Sequence, residues 1–220
     1  MRPVPTVYQD EAYYIFDKPA GLVVIPAPHE EKTLTDVVNA QYASKNNEGS
    51  LYPCHRLDRD TSGVIIFARG KKNQKLMMDE FHQNRVQKYY LALVHGRVKN
   101  VSGVIDWPVQ SLDEKKFSRF ARPKRAVTKY KVIDQRNGYS LTEIFIETGR
   151  SNQIRIHFSQ MGHPLVGERK YAFARDFLLR FRRTALHAAA VTLRHPITQE
   201  MIEAKAPLPE DMRLFMETHR

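Results

Sequence analysis

Apolar and polar residues in this chain fall into short blocks whose period changes often. Residues 7–17 read as two short strands about a turn at 9–11, with Tyr13, Tyr14, Ile15 and Phe16 favouring extended backbone. Lys18-Pro19-Ala20-Gly21 interrupts that run, and a second apolar block at 22–25 is closed by Pro26 and Pro28. Residues 33–42 have helical spacing, with Leu34, Val37, Val38 and Tyr42 on one face, Thr33 as a cap and Asp36 three residues on. The polar stretch 45–50, which contains Gly49, is a loop. A buried strand at 64–68 and a helix at 73–81 follow. Residues 89–95 alternate, with Tyr90, Ala92 and Val94 facing one way and Tyr89, Leu91 and Leu93 the other.

Strands at 128–133 and 140–147 are joined across Asn137-Gly138, a strong hairpin signal. Residues 149–162 fit two periods. Ile154, Ile156 and Phe158 alternate like a strand, whereas Ile154, Phe158 and Met161 share a helical face. Ser151 as N-cap and Gly162 as C-cap favour the helix, on which Asn152, Arg155 and Ser159 form a polar stripe. A further amphipathic helix at 173–181, strands at 186–193 and 201–206, and a last helix from Pro209 complete the pattern. Many strands and short helices predict an α+β class: a large mixed, mostly antiparallel sheet flanked by helices. The 220 residues suit one domain, or one domain made of two lobes.

Charge changes the picture more than composition does. Apolar residues are 42% and charged residues 27% of the chain, ordinary globular usage, but the formal net charge is +11. That excess makes nucleic acid the leading expected partner and an acidic membrane surface the second. It is concentrated between Lys115 and Lys131, a stretch that holds Lys115, Lys116, Arg119, Arg122, Lys124, Arg125, Lys129 and Lys131 and no acidic residue. Phe117, Phe120 and Tyr130 lie among them, so the stretch offers charge to phosphates and flat surfaces to unstacked bases. A solvated basic loop is the plainer alternative. Cys54, the single cysteine, excludes an internal disulfide and a thiolate metal cluster. With no apolar span of 18 residues and no secretory h-region, the expectation is a soluble cytoplasmic protein.

The densest polar constellation is His55-Arg56-Leu57-Asp58-Arg59-Asp60-Thr61-Ser62-Gly63, at the mouth of the 64–68 strand, where catalytic groups concentrate. A self-paired, solvated charged loop is the alternative, and the loop taken alone leaves both open. There is no HExxH helix, P-loop or GxSxG elbow. The nine histidines do not cluster at ligand spacing, and His187 and His195 are expected to make internal hydrogen bonds rather than hold a metal.

These nine residues match the HRLDxxTSG signature and so resemble the RluA family of pseudouridine synthases. Asp17 to Pro26 resembles the family's KPxGLxVxP segment, Lys88 to Gly96 its KxYxAxVxG segment, and Thr148 to His157 its TGRxHQIRxH segment. Gly162-His163-Pro164-Leu165-Val166-Gly167 and Leu186-His187-Ala188 follow in the family's order. One position departs: Asn152 stands where the family usually has histidine.

The resemblance implies a catalytic domain with a central RNA-binding cleft and without the accessory N-terminal RNA-binding domain of many relatives. It implies isomerisation of uridine in structured RNA, a stem-loop of rRNA or tRNA, without cofactor, metal or obligatory protein partner; a monomer is the default expectation, which the resemblance does not supply. Asp58 is then the essential carboxylate, attacking ribose C1′ or helping to remove the 2′ proton. Arg155 is its expected compensating cation, and Tyr90 stacks on uracil or moves a proton. A core-aromatic reading fits Tyr89 better than Tyr90. Arg56 is expected to enter the RNA where the base is flipped out, with His55, Thr61, Arg150, Asn152 and Gln153 as further RNA contacts. The competing expectation, which only Asn152 favours, is an inactive RNA chaperone or ribosome-assembly factor on the same fold.

Overall fold

A computed structural model describes residues 3–26, 32–42, 49–112, 122–172 and 179–219. The chain forms two compact units, one of residues 1–88 with 187–209 and the other of residues 89–186 with 210–220.

In the first unit, strands β1 (Thr6–Gln9), β2 (Tyr13–Lys18), β4 (Ser62–Arg69) and β9 (Leu186–Arg194) lie in that order. Strand β3 (Leu51–Pro53) pairs with β4, and β10 (Met201–Lys205) pairs with β9. The pairs are antiparallel except β4 with β9, which is parallel through Ser62–His187 and Gly63–Ala188. Strands β2 and β4 read as unbroken apolar runs because both faces are buried. Tyr13, Tyr14, Phe16, Ile65, Ile66 and Phe67 form that core, with Leu34 and Val38 of helix α1 (Leu34–Tyr42) and Met77 of helix α2 (Gly70–His82). Helix α1 starts with a reciprocal cap. The Thr33 backbone N–H donates to Asp36 Oδ2 at 2.9 Å, and the Asp36 N–H donates to Thr33 Oγ1 at 3.2 Å.

The second unit is an antiparallel sheet in the order β5 (Gln87–His95), β8 (Tyr139–Ile146), β7 (Val127–Arg136), β6 (Ser102–Asp106). Asn137-Gly138 makes the predicted two-residue hairpin turn, with Gly138 at φ 87°. Phe158 of helix α3 (Gln153–Gln160) packs edge-on against Tyr130. Phe215 of helix α4 (Glu210–Thr218) packs between Tyr139 and Phe181.

The α+β class and the mixed, mostly antiparallel pairing agree with the sequence. Strands β3 and β6 have no counterpart in the sequence reading: one is three residues long, and the other is an edge strand with Val104 exposed. The block at 22–25 forms no strand. The helix expected at 173–181 falls mostly outside the described residues. At 149–162 the helical reading holds, but Ser151 is not the cap. Asn152 is, in the left-handed region at φ 56°, which asparagine tolerates better than most residues. Gly162, at φ 81°, closes the other end. Its N–H donates to Ser159 O and that of His163 to Phe158 O, the paired bonds of a Schellman stop.

Candidate active site

The register of β2 against β4 sets Lys18 opposite Gly63, at the base of the 55–63 loop. Lys18 is fully buried there, and its Nζ donates to the carbonyls of Pro19 (2.9 Å), Arg59 (3.0 Å) and Thr61 (2.8 Å). An ammonium carries three donors, and three carbonyls take them, which offsets the cost of burying the charge. Gly21 N–H adds a bond to Arg59 O, and the Asp58 carbonyl accepts from Thr61 N–H at 3.1 Å. The loop is thus held by its backbone, and Asp58 sits on it half-buried beside the exposed Arg56 and Arg59. At the far end Ser62 Oγ donates to His187 Nδ1 (2.9 Å), since His187 Nε2 donates to the Ala206 carbonyl (3.3 Å).

Two residues of this loop do not face outward as an RNA contact would. His55 Nε2 accepts from the Ile66 N–H at 3.0 Å, and its ring packs on Phe81. Burial, reinforced by the Lys88 ammonium, pushes the imidazole down to about 3 against a hydrogen bond to the Arg56 backbone, so the ring is neutral at pH 7. Thr61 is buried, its carbonyl taken by Lys18. Burial also pushes the Cys54 thiol up to about 12, which makes it a poor nucleophile.

In the second unit Arg155, on α3, projects onto Glu168. Its Nε donates to Oε2 at 2.7 Å and its Nη2 to Oε1 at 2.8 Å, a bidentate pair. Nη1 donates to Asn152 Oδ1 at 2.8 Å, and the guanidinium lies over the Tyr171 ring, 5.2 Å from its centre. Burial works against the Glu168 carboxylate, but Arg155 and the backbone N–H groups of Lys170 and Tyr171 outweigh it and hold it below the usual carboxylate range. Arg155 therefore has an acidic partner in Glu168, a residue the sequence reading passed over. Its only signal there was an acid directly after Gly167 in an otherwise basic stretch.

Several expectations about this unit change. Gln153 is buried with all four of its amide hydrogen-bonding positions used. Nε2 donates to Val127 O and Thr128 Oγ1, and Oε1 accepts from Thr148 Oγ1 and the Arg150 N–H. It fixes the turn into α3 and has no capacity left for RNA. Tyr130, counted among the aromatics of the basic stretch, belongs to the core. Tyr90 is buried and Tyr89 half-buried, the reverse of the sequence reading. Arg150 is exposed, its Nε on the Arg125 carbonyl at 3.2 Å. Of the basic stretch, Lys115, Lys116 and Arg119 lie outside the described residues. Arg122, Lys124 and Arg125 are exposed, Arg125 paired with Asp106 at 2.9 Å.

Residues 12–160 match the model of a protein family described as RNA pseudouridylate synthase. The chain belongs to that family. A relative in this synthase family, an uncharacterised RNA pseudouridine synthase of Chloroflexus aurantiacus, is 40% identical over 208 residues, covering 91% of this chain and 64% of the relative. The ribosomal large subunit pseudouridine synthase D of Zymomonas mobilis is 33% identical over 228 residues, covering 97% of this chain and 72% of that protein. Among solved structures, the human RNA pseudouridylate synthase domain containing 4 superposes with a TM-score of 0.81 at 25% identity, over 97% of this chain and 92% of that one. Membership of the synthase family supports uridine isomerisation in RNA as the chemistry. No helix among the described residues is long and apolar enough to cross a membrane.

Proposed function

We propose that this chain converts uridine to pseudouridine in a stem-loop of rRNA or tRNA, with Asp58 as the catalytic carboxylate. The observation that carries this reading is the loop itself: a buried lysine bonds two of its carbonyls, and it carries a half-buried carboxylate between two exposed arginines. A carboxylate so held can attack ribose C1′ or help remove the 2′ proton. Either route breaks the N1 glycosidic bond, turns the base and rejoins it through C5, with no net oxidation and no cofactor. Tyr90 and Arg155 serve the same reaction, the tyrosine as a ring for uracil and a proton carrier at C5, the arginine as a donor of directed hydrogen bonds. Arg56, exposed next to Asp58, enters the helix when the uridine flips, which costs a few kcal/mol that phosphate contacts can offset. Relatives named ribosomal large subunit pseudouridine synthase D favour rRNA as substrate. The protein works as a monomer in the cytoplasm.

Isomerisation moves the C5 hydrogen to solvent, so tritium release from [5-³H]uridine-labelled transcripts reads the reaction directly. Asp58→Asn abolishes release while gel-shift affinity for the same transcript stays that of the unsubstituted protein. Turnover at the unsubstituted rate in Asp58→Asn removes Asp58 from the chemistry.

A further inference from the structure

Arginine is flexible, and an arginine that must meet a reacting group in one orientation needs its plane fixed by something else. Arg155 has five N–H donors, and three of them are directed by groups of its own unit. Glu168 takes Nε and Nη2 along one edge, and Asn152 Oδ1 takes Nη1. Two points along one edge fix that edge, and the third, which lies off it, fixes the plane about it. The Tyr171 ring backs one face. The two remaining donors are then aimed by the cradle rather than by the arginine's own rotamers.

The cradle is rigid because Glu168 is itself held. Its Oε1 also accepts from the backbone N–H groups of Arg169 (3.0 Å), Lys170 (2.8 Å) and Tyr171 (3.2 Å). The preceding Gly167 sits at φ 78° against the Arg183 carbonyl, where an added Cβ would lie 2.0 Å from that oxygen. Backbone contact on one side and three amide donors on the other leave the carboxylate one position. The pair is also asymmetric: the Glu168 side chain is 0% exposed and that of Arg155 15%. Partial exposure lowers the cost of burying the cation, and it also leaves part of the Arg155 side chain reachable. A working group needs its rotamer locked by hydrogen bonds from residues behind it, and the sealed acid supplies two of them.

We propose that Glu168 and Asn152 are positioning residues for the isomerisation, holding the Arg155 guanidinium in the orientation the reaction uses. This rests on the reading of Arg155 as an active-site residue. It also gives Asn152 a reason. At φ 56° the backbone accepts asparagine, aspartate, histidine or glycine with little strain, and asparagine supplies an acceptor to Nη1. The residue that departs from the family's usual histidine is, in this chain, part of the machinery that orients the arginine.

The test uses the full chain and a ribosomal transcript on which it releases tritium. Asn152→Gly keeps the backbone conformation and removes only the acceptor, so kcat is expected to fall about tenfold, the effect of losing one charge-assisted bond that orients a group. The KM, transcript affinity and thermal midpoint are expected to stay close to those of the unsubstituted protein. Asn152→Asp restores an acceptor and recovers most of the lost kcat. Glu168→Gln misaligns the whole guanidinium and lowers kcat about 100-fold. Should Glu168→Gln fail to fold, the Asn152 pair still decides. Arg155→Ala separates the two readings. If it turns over normally, Arg155 is not in the site and both fall. If it is inactive while Asn152→Gly and Asn152→Asp both match the unsubstituted protein, or both fall equally, the positioning role alone is overturned.

Discussion

His55, Lys18 and Gln153 share a fate: each is polar, each lies in or beside a motif segment, and each bonds to the backbone inside the fold. For His55 this has a measurable consequence. Its folded-state value, about 3, lies below the ordinary histidine value of about 6.5. Above the ordinary value both states are neutral and the contribution of the ring to stability is complete. As pH falls below it, the unfolded chain binds a proton that the folded chain refuses, and that contribution is lost progressively towards pH 3. Urea titrations of the unsubstituted protein and of His55→Gln, at pH 7 and about pH 4, check this, since glutamine does not titrate. The unsubstituted protein is expected to lose more stability over that interval. Equal losses would mean that the ring is not sealed from protons.

At the scale of elements, the parallel pairing of β4 with β9 depends on a residue without a side chain. Gly63 stands at φ 109°, and a Cβ there would lie 2.1 Å from the Ala188 carbonyl oxygen. Both partners are backbone in a ladder, so neither can swing aside. Gly63→Ala is expected to destabilise the protein by about 3 kcal/mol, from overpacking and a positive φ together. It is also expected to pull Ser62 off His187. Chemical denaturation measures the first effect. A change below about 0.5 kcal/mol, the size of an ordinary surface substitution, would show that the strands do not approach so closely. Helix α3 shows the same dependence on a neighbouring strand: Gln153, bonded to Val127 and Thr128 of β7, starts the helix where a capping serine was expected.

At the scale of the whole molecule, charge is the dominant property. A net charge of +11 attracts phosphate without selecting a sequence. If about six phosphates are neutralised, the log of the binding constant falls against log salt with a slope of roughly −4 to −5. Fluorescence anisotropy of a labelled transcript between low and moderate salt gives the slope. A value near zero would mean that shape and stacking, rather than charge, hold the RNA. Arg125 is expected to contribute less than its charge suggests, because Asp106 already pairs with it.

The local elements were legible in the sequence because their causes are local. The cap of α1 needs residues three apart, the Asn137-Gly138 turn needs two, and the buried runs of β2 and β4 announce themselves by composition. The ordered landmarks likewise carried the family. Which partner each polar group would find was not legible. A histidine, a glutamine or a lysine looks the same in sequence whether it meets water, RNA or a carbonyl. Lys18 meets Thr61 across 43 residues, and Gln153 meets Val127 across 26. Glu168 carries no mark of the arginine it holds 13 residues away. Only folding brings those groups together. Once water is removed, each must bond to whatever the backbone offers, and that decides which motif residues support the fold and which remain free to act.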